Sequence, residues 1–205
     1  KEFQAYEDTL APKLAAWETK QPLDRNWTVL APTVLRDTNK AAFLKQDDGS
    51  IVADGGDDKG VLTFTAETDL KDITGLRLEM LADDRFPAKG PGRAPDGNFV
   101  INEVQVTAAP KADPKAAKPV VLQSPLADFS QGNFDIARAI DGQANDPNNG
   151  WAVSPATGVT HWATFEMKDP VGHDSGTVLT ITLHHKYNKG FMPGRFRLSV
   201  IREVR

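Results

Sequence analysis

Apolar and polar positions alternate along much of the chain. In TVLTITLHH, residues 177–185, Thr177, Leu179, Ile181 and Leu183 share one side, and Val178, Thr180, Thr182 and His184 the other. Successive side chains of a strand point to opposite faces, so this period of two predicts a half-buried strand. ITGLRLEML, 73–81, sets Leu76, Leu78 and Met80 against Arg77 and Glu79; GRFRLSV sets Phe196, Leu198 and Val200 against Arg195, Arg197 and Ser199. WTVLAPTVL, AAFLKQ, SIVADG, GVLTFTAET, FVINEVQV, VVLQSPL and HWATFEM are short runs rich in Val, Ile, Thr and Phe, with Asp/Gly clusters such as DDGS and DGGDDKG between some of them. Such punctuation marks turns, giving about nine or ten strands. The pattern predicts an all-β chain, an antiparallel β-sandwich of jelly-roll type.

Two stretches depart from this period. Phe3, Tyr6, Leu10, Leu14 and Trp17 recur at spacings of three and four, which predicts a short N-terminal helix, broken or kinked near Pro12. Residues 1–26 are therefore expected to form a helical connector and 27–205 the sandwich. Residues 108–119, AAPKADPKAAKP, contain only Ala, Pro, Lys and Asp and bury almost nothing. They read as a long exposed Ala/Lys/Pro loop inside one domain, or as a linker between two halves. The first reading is preferred, since each half alone would have a marginal core.

With 205 residues, 40% hydrophobic and 25% charged, the chain is long enough for one substantial core. A net charge of −4 without a basic stripe argues against a nucleic-acid partner. The four arginines from Arg195 to Arg205 follow a strand pattern and read as a solvated face. No apolar run approaches the roughly 20 residues of a membrane span, and KEFQAYEDTL does not read as a signal peptide. The absence of cysteine excludes disulfides, thiolate metal sites and covalent haem attachment.

Catalytic constellations are scarce. His173, Asp174 and Ser175 are adjacent, whereas triad partners converge from separated positions. His184 and His185 are consecutive on a strand, face opposite sides and cannot ligate one metal together. No H-E-x-x-H, G-x-S-x-G, P-loop or dinucleotide fingerprint occurs, so no catalytic residue is expected.

Binding chemistry is better represented. The loop after ARAIDG offers Asp141 and Asp146, with Asn145, Asn148 and Asn149, as hard oxygen donors. They are candidate calcium ligands or, alternatively, members of solvated Asx turns. Trp151 is either a stacking platform for a sugar ring or a core residue. His161 is either a ligand contact or a hydrogen-bonded structural histidine. In GPGRAPDGNFV, Gly90, Gly92 and Gly97 serve as pivots and Pro91 and Pro95 as stiffeners, predicting a shaped loop. It would present Arg93, Asp96 and Asn98 at the rim, where a guanidinium fork takes carboxylate or sulfate and Asp and Asn take sugar hydroxyls. Alternatively Arg93 clamps a neighbouring loop through its carbonyls, or through a buried carboxylate such as Glu103.

Several separated motifs carry a family resemblance: DGSIVADG, ITGLRLEML, FPAKGPGRAPDGNFVINEVQV, ADFSQGNFDIARAIDG, GWAVSP, HWATFEM and GRFRLSV. Over about residues 27–205 they resemble the β-sandwich module of large secreted planctomycete proteins that also carry cytochrome c domains. More distantly, A-I-D-G followed by Trp is similar to galactose-binding-like domains of the discoidin and carbohydrate-binding-module kind. The resemblance implies an extracytoplasmic module, periplasmic or secreted, cut from a longer bacterial chain, with any haem held by other domains. The expected function is non-catalytic binding, of a polysaccharide or other glycan. The alternative is a docking domain that positions cytochrome c or other neighbouring domains. A third reading is a hydrolase whose two carboxylates the sequence does not pair.

Overall fold

The computed structural model describes residues 27–202, so the helix expected over 1–26 lies outside the described residues. Among the described residues, twelve strands form two antiparallel sheets. In chain order they are β1 (Thr28–Val29), β2 (Pro32–Asp37), β3 (Ala42–Lys45), β4 (Ile51–Asp54), β5 (Gly60–Thr68), β6 (Ile73–Met80), β7 (Glu103–Pro110), β8 (Lys118–Val120), β9 (Leu122–Ala127), β10 (His161–Val171), β11 (Thr177–His185) and β12 (Arg195–Ile201). The larger sheet runs β3-β4-β12-β6-β10-β9, with β1 also paired to β12; the smaller runs β2-β5-β11-β7-β8. If β4, β5, β6, β7, β8, β10, β11 and β12 are taken as first to eighth, one sheet reads first-eighth-third-sixth and the other second-seventh-fourth-fifth. That interleaving is a jelly roll, in which sequential strands pass from one sheet to the other.

The alternation places the core between the sheets. Leu76, Leu78 and Met80 of β6, Phe196, Leu198 and Val200 of β12, and Ala163, Phe165 and Met167 of β10 face inward. Leu62, Phe64 and Ala66 of β5, Leu179, Ile181 and Leu183 of β11, and Val104 and Val106 of β7 meet them. In the smaller sheet Ile181 pairs with Phe64 on one side and Val106 on the other, so a single register aligns three strands' apolar sets. Full burial of each large apolar side chain contributes about 1.5–3 kcal/mol.

Two segments differ from the sequence expectation. WTVLAPTVL reads as one run, but the chain divides near Pro32: β1 joins β12, and β2 joins β5 at the edge of the smaller sheet. Proline has no N–H to donate, and an edge strand's first residue can do without one. The run 108–119 is also more regular than its composition suggests. β7 extends to Pro110, a 3-10 turn covers Pro114–Ala116, and β8 pairs back onto β7 with Val106 opposite Val120 and Ala108 opposite Lys118. Backbone pairing at an edge needs few apolar side chains, which is why composition concealed it. After β8 the chain bends at the exposed Val121 and continues as β9 in the opposite sheet.

Candidate functional site

The 90–101 loop is folded tightly on itself. Gly92 N–H donates to Gly97 O at 3.0 Å, Ala94 N–H to Asn98 O at 3.2 Å and Gly97 N–H to Ala94 O at 2.7 Å. A Cβ on Gly92 would collide with the Asn98 carbonyl, and Gly97 has φ +80°, so both glycines are structural requirements of the turn.

This rigidity turns most of the expected rim inward. Arg93 donates from Nη1 to Gly55 O at 2.6 Å and from Nη2 to Asp57 Oδ1 at 3.2 Å; its side chain is 11% exposed. It clamps the 54–59 turn, and its carboxylate partner is Asp57 rather than Glu103. Asn98 is buried, accepting from Val153 N–H at 3.0 Å and donating to Gln131 Oε1 at 3.0 Å. Trp151 is fully buried: its indole N–H donates to Phe129 O at 2.9 Å and its ring meets Phe99 edge-on at 5.0 Å. It presents no face on which a sugar ring would stack. His161 is buried, with Nδ1 2.9 Å from Asp128 Oδ2 and Nε2 2.6 Å from Ala156 O. Asn98, Trp151 and His161 thus lie along an internal seam that ties the loop to residues 129–134 and 151–161. Asp96 faces solvent, its Oδ1 accepting from Asn98 N–H at 3.1 Å.

The calcium candidates are engaged in local turns. Both Asp141 oxygens accept from Asn149 Nδ2, at 2.9 and 3.0 Å, and Oδ1 also accepts from Gln143 N–H at 2.9 Å. Asp146 Oδ1 accepts from Asn148 N–H at 2.9 Å. The buried Asn102 side chain anchors the segment, donating to the carbonyls of Asp146 and Asn149, each at 2.8 Å. Among the described residues no group of three or more His, Cys, Asp or Glu is gathered that could hold a metal ion.

A different surface has the form of a binding site. Glu103, Gln105 and Thr107 alternate with the core residues Val104 and Val106 and so face outward from β7. Beside them the edge strand and its bend supply an apolar wall of Pro119, Val120, Val121 and Leu122, and Ile140, Asp141 and Gly142 close one end. The resulting groove has a volume of about 540 Å³, within the range of small-molecule sites.

Glu103 is the buried member of this floor, 4% exposed. Gly142 adopts φ +84°, which aims its N–H at Glu103, 3.2 Å from both carboxylate oxygens. Burial raises the Glu103 pKa; the negative charge of Asp141 pushes the same way, and the Gly142 and Gln143 N–H groups oppose them. Gln105 is exposed, with Oε1 3.3 Å from His184 Nε2 on the neighbouring strand. Among the described residues lining the groove, none is basic. The floor therefore offers carboxylate, amide and hydroxyl groups, mainly acceptors, beside a smooth apolar wall.

Sequence reasoning missed the groove, although one signal was available: the alternation in NEVQV already directs Glu103 and Gln105 outward. Compared with known proteins, the chain matches no family model, no curated protein and no solved structure.

Proposed function

We propose that this is a non-catalytic, extracytoplasmic binding module whose groove over β7 recognises a carbohydrate. The observation carrying the reading is the groove's construction: Glu103, Gln105 and Thr107 as a hydrogen-bonding floor beside the apolar wall Pro119–Leu122. A sugar presents hydroxyls in one direction and C–H faces in another, and this division of polar floor from apolar wall fits both. The proposed site replaces the loop rim, because Arg93, Asn98, Trp151 and His161 are engaged within the protein. A panel of neutral, amino and anionic glycans, followed by isothermal titration, tests the reading. Binding that falls at least about fivefold in Gln105→Ala and Thr107→Ala, the cost of roughly one hydrogen bond each, supports it. No binding to any glycan, or binding indifferent to both substitutions, counts against it.

A second reading, docking of neighbouring domains, is favoured by a separate groove of about 470 Å³ at the β3 edge. Phe43, Leu44, Val52 and Phe86 line it, and Leu44 is 58% exposed. Apolar surface beside an unpaired strand edge is the form that protein partners use. Retention of a neighbouring domain by the wild type and its loss in Leu44→Asp would favour this reading.

A further inference from the structure

The groove's charge points to a narrower ligand class, and this step rests on the carbohydrate reading above. Glu103 and Asp141 both line the cavity, and none of its described lining residues carries positive charge. Glu103 is buried, and two backbone N–H groups, Gly142 and Gln143, serve its carboxylate, which leaves part of the acceptor capacity of its two oxygens unfilled. The charged and titratable groups beside it are Asp141 from the loop and His184, paired with it on β11; Lys186, just beyond that strand, acts on His184 and not on Glu103. Burial and Lys186 hold His184 towards its neutral form. A buried carboxylate lacking a cation carries an uncompensated desolvation cost that a cationic ligand group would relieve.

We propose that the groove prefers glycans bearing a protonated amine, with the ligand ammonium seated against Glu103 and Asp141. The polar floor of Gln105 and Thr107 would take the adjoining hydroxyls, which favours an amino sugar over a lysine side chain with its aliphatic stem. Charge complementarity also excludes uronic-acid and sulfated glycans as preferred ligands, since they would place anion against anion.

Titration of the ¹⁵N-labelled protein at pH 7 with glucosamine oligomers, their N-acetylated counterparts, neutral glucose oligomers and a lysine-rich peptide tests this. The glucosamine oligomers should bind about tenfold tighter than the acetylated or neutral ones, the scale of one charge-assisted hydrogen bond over a neutral one. Their amide shifts should centre on Gly142 and Gln105, and added salt should shrink the preference. Glu103→Gln, which keeps an acceptor for Gly142, should remove it. Equal binding of aminated and neutral oligomers at the groove would overturn the amine preference and leave carbohydrate recognition standing. A lysine-rich peptide binding as tightly as the glucosamine oligomers would overturn the amino-sugar assignment. Absence of groove shifts with every oligomer would overturn both readings.

Discussion

The outer faces of the two sheets are built by the same alternation, and one cluster on each treats charge in the opposite way to the other. On the larger sheet Arg197 grips Glu79 with two bonds, 2.7 and 3.0 Å, and Arg77 reaches the same carboxylate at 3.3 Å. Arg195 joins Asp48 at 2.7 Å and Asp83 at 3.4 Å, and Arg85 holds Asp83 at 2.6 Å. The carboxylates there meet guanidinium groups across strands or turns. On the smaller sheet Glu103 faces Gly142 and Asp141 with no cation, beside Gln105 and Thr107. Paired charges stabilise a surface and satisfy it, whereas an uncompensated carboxylate leaves binding capacity for something else. Of the locally basic tail, read from sequence as a solvated face, Arg195 and Arg197 belong to a cross-strand ion network.

The largest effect that would sharpen this contrast is Glu79→Ala. It leaves Arg197 without its bidentate partner on a mostly buried site and should cost about 3 kcal/mol in urea unfolding. A loss under about 0.5 kcal/mol would show that the network contributes nothing beyond solvation.

The two faces should also differ in how pH acts on them. Asp83 is held down to about 2, chiefly by hydrogen bonds from Arg85. Its contribution is complete above the ordinary value of 3.8 and is lost as pH falls from there to about 2. Glu103 has the opposite sign. Its pKa is raised, mainly by burial, so its contribution is complete below the ordinary 4.5 and is lost as pH rises from there through the folded value. Stability measured against pH, taken as variant minus wild type so that other groups cancel, should show a shallower acid limb for Asp83→Asn. For Glu103→Gln it should show a gain that grows above pH 4.5 and then levels. A Glu103→Gln difference that falls as pH rises would break the comparison.

Smaller effects follow at the groove itself. A Cβ on Gly142 meets nothing within 4 Å, but φ is +84°, so Gly142→Ala should cost about 1 kcal/mol through backbone strain alone. At pH 7 Glu103→Gln should leave thermal stability unchanged or raise it, because burial disfavours the charged form of Glu103 and the amide retains an acceptor.

Much of the fold was legible because β5 and β11 alternate along nearly their whole length, and β6 and β12 do so over residues 76–80 and 195–200; the period of two is a direct imprint of a sheet with one dry side. The division of WTVLAPTVL was not, since one apolar run contains no mark that its halves join different sheets. β8 was concealed because Lys118, Pro119 and Val120 hold their place by backbone pairing, to which composition is blind. For the site, residue type left direction open: Arg93, Trp151 and His161 could each face a ligand or the protein, and the structure shows the inward alternative at all three. Arg93, Asn98, Trp151 and His161 are hydrogen-bonding groups by type, and their partners in segments distant along the chain turn them inward. Glu103 and Asp141 are 38 positions apart, and bonds that no local sequence pattern announces, such as those of Asn102 and Gly142, bring the second to the first.

The bend at Val121 gives the groove a mechanical character of its own. Because β8 and β9 are one continuous length of chain shared between the sheets, the wall over β7 cannot swing outward unless the strand's other half also slips along β10. The aperture is therefore set by the registration of the opposite sheet, and the module should act as a gauge of fixed width: what fits enters without rearrangement, and a branched or bulkier chain is refused by geometry before chemistry is consulted.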